Sequence, residues 1–293
     1  MGVGEWFADF CASLRINSAK RSSIGNRTNR IVGRLNADLR GLDSKAACRF
    51  YVGSYGRNTA IPSVSDVDLL YELPYSLYQR FHGHAGNGQS ALLGHVKNAI
   101  RKTYIVSDLA GDGQVVVLNF DDGVRFEILP AFVNTDGSYT FADARNGGSW
   151  RICKPKQEMD AFSTRDAACN YNLVQLSRMA RAWRDANNVS MSGMLVDALA
   201  YQFIETWQFR DKSYLYYDFM TRDFFHFLAG LSTQQAYWLA PGSNSYVHRS
   251  GVFQYKARSA ELRSLEALEC LRLNHEWSAK QKYRQIYGTA FAA

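Results

Sequence analysis

Two aspartates separated by one residue, Asp66 and Asp68 in Ser65-Asp66-Val67-Asp68, follow a polar turn that begins Gly53-Ser54-Tyr55-Gly56-Arg57-Asn58-Thr59. Carboxylates two positions apart on a strand point to the same side, so this pair could ligate two divalent cations. Two such ions about 4 Å apart lower the pKa of an attacking hydroxyl and neutralise charge on the leaving oxygens. Attack of an alcohol on an α-phosphorus, with loss of pyrophosphate, requires both. A third carboxylate on a neighbouring strand would complete the site, and Glu127, in Phe126-Glu127-Ile128-Leu129-Pro130, is placed for it. Hard oxygen ligands of this kind select Mg²⁺ or Mn²⁺ over softer metals. Gly53 and Ser54 sit where backbone N–H groups and a small hydroxyl can approach phosphate oxygens closely, and Arg57 and Thr59 add a charge and a second hydroxyl. A lone pair of spaced aspartates reads as two solvated acids on a strand face. The joint pattern of turn, acid pair and third acid points to nucleotidyl transfer.

The elements that must position these residues follow from periodicity. Residues from about Gly4 to Leu42 read as helical, with Ile31, Leu35, Leu39 and Leu42 at helical spacing and Arg27, Arg30, Arg34 and Arg40 interleaved. A strand is expected over Cys48 to Ser54, and a second from Asp66 to Leu73, its alternation leaving Val67 and Leu69 opposite the two acids. Phe81 to Ser90 is glycine-rich and reads as a loop, followed by a helix over Ala91 to Tyr104. Asp121-Asp122-Gly123 between two apolar runs predicts a hairpin that carries Glu127 on its second arm. Ser163-Thr164-Arg165-Asp166 can cap a helix running through Leu173, Leu176, Ala180 and Trp183. Further helices are expected near Met194–Phe209, Tyr216–Leu228, Tyr255–Leu273 and Glu276–Tyr287. The fold class is therefore α/β (α+β): a catalytic lobe with a mixed sheet over about residues 1–160 and a helical lobe over 161–293, with a substrate cleft between.

Of 293 residues, 46% are hydrophobic and 21% charged, which describes a globular chain and not a disordered one. No stretch approaches the roughly 18 apolar residues of a membrane span, so no membrane association is expected. The amino-terminal segment reads as an amphipathic helix and not a signal peptide, and Trp6 stands where a myristoylation signal needs a small hydroxyl residue. Five cysteines, scattered and never spaced as a zinc motif, fit a reducing cytoplasm. A formal charge of +7 suits an anionic partner. The helix arginines read as a solvated face and not a duplex-binding platform, since no zinc-ligand cluster or lysine-rich run accompanies them. His82, His84 and His95 read as polar loop and helix residues.

The block from Gly53 to Asp68, with Glu127-Ile128-Leu129-Pro130, resembles the cGAS/DncV-like nucleotidyltransferases (CD-NTases), a branch of the polymerase-β superfamily. The likeness spans most of the chain. Glu127 stands where many relatives carry aspartate, one methylene shorter. Arg181-Ala182-Trp183 resembles the family's basic residue before tryptophan, which implies that Arg181 holds the triphosphate, and Ser192 is the nearest match to a serine offered to the nucleotide. The resemblance implies a template-independent synthase that joins ribonucleoside triphosphates, ATP foremost with GTP or a pyrimidine nucleotide as partner, into a cyclic di- or trinucleotide. It further implies a monomeric bacterial cytoplasmic enzyme of anti-phage signalling, a separate effector protein switched on by the product, and no requirement for nucleic acid. Transfer of a nucleotide onto an RNA or protein acceptor is the rival enzyme reading. A catalytically dead binding module is the rival from another class, and such a module has no need of all three acids.

Overall fold

The computed structural model describes residues 2–63, 66–104 and 109–292; Ser65 of the acid motif lies outside them. The chain divides into two compact units, and the division is not a single cut near residue 160. One unit joins Ile16–Gly56 to Ser63–Met159, and the other joins Met1–Arg15 and Arg57–Pro62 to Asp160–Ala293.

The first of these units is built on a seven-stranded mixed sheet. Its central path runs β1 (Arg49–Tyr51), β2 (Asp66–Glu72), β5 (Arg125–Val133), β4 (Val115–Asn119), β3 (Leu109–Asp112). β6 (Tyr139–Asp143) pairs with the far end of β5, and β7 (Ser149–Cys153) pairs with β6. β2 and β5 are parallel, while β1–β2 and β4–β5 are antiparallel. The hairpin expected at Asp121–Gly123 is present as β4–β5, with Gly123 at φ 80°. The strand expected over Cys48–Ser54 is shorter, because Gly53–Gly56 closes a helical turn, α3.

One face of this sheet is covered by α2 (Ser18–Arg40), α4 (Tyr75–His82) and α5 (Gly88–Arg101). Val67, Leu69 and Tyr71 of β2, Phe126 and Ile128 of β5, and Ile31, Val32 and Leu35 of α2 meet in one buried core. α2 is separate from α1 (Val3–Ser13), because Asn17 caps it, its side chain accepting from the Lys20 N–H at 2.8 Å. Gly41, left-handed at φ 62°, ends it. The glycine-rich stretch is mostly helical: α4 reaches His82 and α5 begins at Gly88 with Asn87 as its cap.

Four arginines of α2 have partners inside this unit. Arg27 donates twice to Asp122 at 2.9 Å and lies over Phe120, holding the Asp122 carboxyl below the usual range. Arg30 lies over Tyr104, Arg34 pairs with Asp38, and Arg40 donates to the Glu72 carbonyl. His82 stacks on Tyr78, and His95 packs against Phe81.

The other unit is helical: α1, α6 (Pro155–Ala168, crossing in from the sheet unit), α7 (Asn172–Ala186), α8 (Gly193–Thr206), α9 (Tyr217–Gly230), α10 (Gln254–Arg272) and α11 (Glu276–Tyr287), with a hairpin of β8 (Tyr237–Leu239) and β9 (Tyr246–His248). Its core is aromatic. Phe7 of α1 meets Tyr283 and Phe291, with ring centres 5.0 and 5.4 Å away, and Trp183 meets Phe225 at 5.0 Å. Ser163 and Thr164 do not cap the helix that carries Trp183, since they lie within α6. Asp166 reaches forward instead and accepts from the Val174 N–H at 2.9 Å. All five cysteines are free, and among the described residues no helix is long and apolar enough to cross a membrane.

Asn36 ties the end of α2 to β2. Fully buried, it donates to the Ser44 and Ala47 carbonyls at 2.8 and 3.1 Å and accepts from the Tyr71 hydroxyl at 2.9 Å. Asn36→Ala strands the buried Tyr71 hydroxyl and two part-buried carbonyls, and should lower the unfolding free energy by about 2–4 kcal/mol. Urea denaturation checks this, and an unchanged midpoint would show that these groups find other partners.

Candidate active site

β2 pairs with β5 so that Asp66 stands opposite Arg125 and Asp68 opposite Glu127. Residues paired across adjacent strands share a face, so Asp66, Asp68 and Glu127 project from the side of the sheet opposite the helices. The sequence-derived alternation on β2 holds: Val67, Leu69 and Tyr71 are fully buried, while Asp66 is exposed and Asp68 half-buried. Further along the same face, Leu70, Ala131, Tyr139 and Phe141 form a small dry cluster that floors the strands just beyond the acids.

Gly53 explains the turn that precedes them. Its φ is 61°, a conformation that side-chain-bearing residues adopt only with strain. A Cβ at this position would lie 1.8 Å from Oδ2 of Asp68. The backbone of the turn therefore packs directly on the carboxylate, a closeness available to glycine alone. Ser54 follows in the same helical turn, whose last N–H, that of Gly56, donates to the Val52 carbonyl at 2.9 Å. Ahead of it, the Val52 N–H donates to the Asp68 carbonyl at 3.0 Å, which fixes the start of the turn to β2.

The donor set fits hard divalent cations: three carboxylates on one sheet face, two of them in register on neighbouring strands, with a backbone cradle that a Cβ would fill. It is not drawn into a closed cluster. Among the described residues no three His, Cys, Asp or Glu side chains are gathered as a metal site. Oε1 of Glu127 instead lies 2.8 Å from a terminal nitrogen of Arg125. Sequence reasoning passed over Arg125, although its place two residues before Glu127 on a strand put it on the same face.

The remaining expected site residues lie in the helical unit. Arg57, Thr59 and Arg181 converge on one residue that sequence reasoning did not single out, Asp197 of α8, whose side chain is fully buried. Its Oδ2 accepts from Arg57 Nε at 2.9 Å, from the Thr59 hydroxyl at 3.0 Å and from Arg181 at 2.7 Å. Arg181 also donates to Thr59 and to the Gly193 carbonyl. Burial lowers the pKa of Arg181 and the Asp197 charge opposes that shift. Arg57 and Arg181 are 8% and 4% exposed, so both are committed to this internal network and not to an open surface. Arg178 adds a 2.8 Å bond to Asn58, the left-handed residue between them in the turn. The signal for Asp197 was a lone acid in an apolar helix, Leu195-Val196-Asp197-Ala198-Leu199. Ser192 caps α8, accepting from the Leu195 N–H, and lines an open pocket of about 450 Å³ with Arg184, Asn188 and Ser190. Gly193 has no space for a side chain, since a Cβ there would meet Arg181 at 2.6 Å.

The Second Messenger Oligonucleotide or Dinucleotide Synthetase domain matches residues 1–166. No curated protein matches the chain in sequence. Among solved structures, the CdnC:HORMA-deltaN complex of E. coli MS115-1 aligns with TM-score 0.68 at 15% identity, over 99% of this chain and 98% of that one. Vibrio cholerae DncV in its GTP-bound form aligns with TM-score 0.67 at 12% identity, over 100% and 96%. Bradyrhizobium diazoefficiens CdnG in complex with GTP aligns with TM-score 0.63 at 13% identity, over 98% and 96%. At these identities the likeness shows a shared fold over the whole chain.

Two substitutions probe this geometry. Gly53→Ala should cut turnover at least about tenfold, because the turn must move off Asp68 or leave its left-handed conformation; near-normal rates would mean that the close approach is incidental. Asp197→Asn keeps the shape but leaves two buried guanidinium groups without a counter-charge, and should lower stability by about 3–5 kcal/mol. A melting temperature equal to that of the parent protein would show that the charge at position 197 is dispensable.

Proposed function

The chain belongs to the family of second messenger oligonucleotide or dinucleotide synthetases, and we propose that it joins ribonucleoside triphosphates without a template and closes the product into a cyclic di- or trinucleotide. The observation that carries this reading is the register of β2 against β5, which sets Asp68 beside Glu127 with Asp66 on the same face. Asp66, Asp68 and Glu127 would hold two Mg²⁺ or Mn²⁺ ions, which when bound activate the attacking hydroxyl and neutralise the departing pyrophosphate.

The chain's own residues do the rest. The Gly53–Ser54 turn, pressed against Asp68, offers backbone N–H groups and a hydroxyl to the phosphates next to the acids. Arg57, Thr59 and Arg181 serve the nucleotide indirectly in this reading: through Asp197 they hold in one conformation the six-residue segment Arg57–Pro62. Ser192, an exposed residue at the capped end of α8, lines its pocket together with the exposed Ser190 and could offer a hydroxyl to the nucleotide. Ring closure follows from proximity: a linear intermediate that stays bound presents its own hydroxyl at high effective concentration and outcompetes free nucleotide.

Purine nucleotides are the proposed substrates, since structures similar to this one include CdnC with ATP and CdnG and DncV with GTP. The product would act on a separate effector in bacterial anti-phage signalling, with the enzyme working in the cytoplasm as a monomer and without nucleic acid.

Purified protein given Mg²⁺ or Mn²⁺ and mixed ribonucleoside triphosphates should release pyrophosphate and form a small product that resists phosphatase. Asp66→Asn or Asp68→Asn should abolish it, with loss of several kcal/mol of transition-state stabilisation and no loss of thermal stability, since each removes one of several crowded like charges. Chromatography after phosphatase treatment is the readout. A fully digestible product, or a ladder of lengths, would replace ring closure with transfer to an acceptor, and near-full turnover in either variant would remove the site assignment.

A further inference from the structure

Arg125 is directly opposite Asp66 in the parallel pairing and two residues before Glu127, so its side chain shares the face of the three acids. One terminal nitrogen lies 2.8 Å from Glu127 Oε1, while the nearest oxygen of Asp112, a largely exposed side chain, is 3.6 Å away. Its Nε is buried and has no hydrogen-bond partner. Within the protein the guanidinium is thus held mainly through one arm, by the carboxylate that must turn to a metal, while its side chain stays 37% exposed.

We propose that Arg125 couples metal binding to nucleotide binding by acting as the resident counter-cation of Glu127. This rests on the reading of Asp66, Asp68 and Glu127 as the metal ligands. A divalent cation arriving alone must take Glu127 away from Arg125. It then leaves that guanidinium next to a dication, with Asp112 3.6 Å away as the other carboxylate it approaches among the described residues and a buried Nε still without a hydrogen-bond partner. Like charges at this separation oppose one another, so metal uptake alone is weak. When a triphosphate arrives with the metal, the displaced guanidinium meets phosphate oxygens, which suit its planar donor fork better than a single carboxylate oxygen does. Metal and nucleotide therefore tighten each other, and the coupling is reciprocal. Arg125 is in this sense a positioning residue: it acts through Glu127, keeping the acid occupied until substrate is present.

The test is a binding measurement that needs no turnover. Free Mn²⁺ is followed by electron paramagnetic resonance during titration of the protein, with and without a non-hydrolysable α,β-methylene analogue of ATP, for the parent protein, Arg125→Gln and Arg125→Lys. Without nucleotide, Arg125→Gln should bind Mn²⁺ at least about tenfold tighter than the parent, and the tightening produced by the analogue should shrink by a similar factor. Arg125→Lys, which keeps the charge but loses the fork, should retain weak Mn²⁺ uptake while recovering part of the nucleotide coupling. Equal Mn²⁺ affinity in the parent and Arg125→Gln, with equal enhancement by the analogue, overturns the proposal. So does absence of Mn²⁺ uptake without nucleotide in both, or loss of analogue binding in Arg125→Gln with no gain in Mn²⁺ affinity, which would make the residue a phosphate contact only. Asp66→Asn serves as the separate control: if Mn²⁺ uptake by the parent is unaffected by that change, the metal-site reading fails whatever Arg125 does.

Discussion

The candidate site depends on the parallel register between β2 and β5. Seven consecutive residue pairs, from Asp66 with Arg125 to Glu72 with Ala131, run along it. Slipping either strand by one residue would exchange faces, sending the acids into the core and Val67 or Phe126 into solvent. The core opposes that slip strongly, because Val67, Leu69, Tyr71, Phe126 and Ile128 are all fully buried against the helices. The placement of the carboxylates is thus enforced from the opposite side of the sheet, by side chains that take no part in any chemistry. Fully burying each such side chain contributes roughly 1.5–3 kcal/mol, so the acids are held together by hydrophobic burial and against their mutual repulsion.

A second constraint lies in the helical unit and is electrostatic. Asp197 sits between Arg57 and Arg181, two positive charges to one negative, with its second oxygen buried and unpartnered. Replacing a buried ion cluster by apolar residues of similar volume is often neutral or stabilising, so stability alone is a weak reason for this one. Geometry is a better one. Oδ2 accepts three bonds from two separate segments, and a shared acceptor of that kind fixes the Arg57–Thr59 backbone relative to α7 and α8 more narrowly than packing would.

Much of this was legible in the sequence where a local rule decides the outcome. The alternation of Asp66, Val67, Asp68 and Leu69 gave their faces, and Asp121-Asp122-Gly123 gave the β4–β5 hairpin. Helix ends were less legible where two signals compete. Ser163 and Thr164 resemble a cap, yet Pro155 at the first turn had already started α6, and the chain instead breaks at Asn170 and Tyr171, both left-handed. That Glu127 lies on a strand neighbouring the acid pair was expected from the chemistry, but the parallel direction and register of β2 against β5 were not legible, since the partner lies some sixty residues away with other strands between and no local code specifies them. Asp197 and Arg125 were missed for a related reason: each is one charged residue among apolar neighbours, and its meaning lies in a partner far off in sequence. Arg181 was singled out by resemblance, but what it touches was not readable from its own helix.

The composition of the two units bears on how the protein is made. Every residue of the sheet unit has emerged from the ribosome once Met159 is clear of it, so β2, β5 and the acids can assemble while the rest is still being translated. α1 is made first, yet Phe7 and Phe10 find their partners in Tyr283, Tyr287 and Phe291 at the far end of the chain. At about 5–20 residues per second, those aromatic side chains wait about 15–55 seconds before they can be covered. A nascent chain therefore carries its three carboxylates well before it carries Arg181 and Asp197, while an aromatic helix stays open to chaperones. The helical unit is in this way kept from closing its aromatic core until its last helices have been translated.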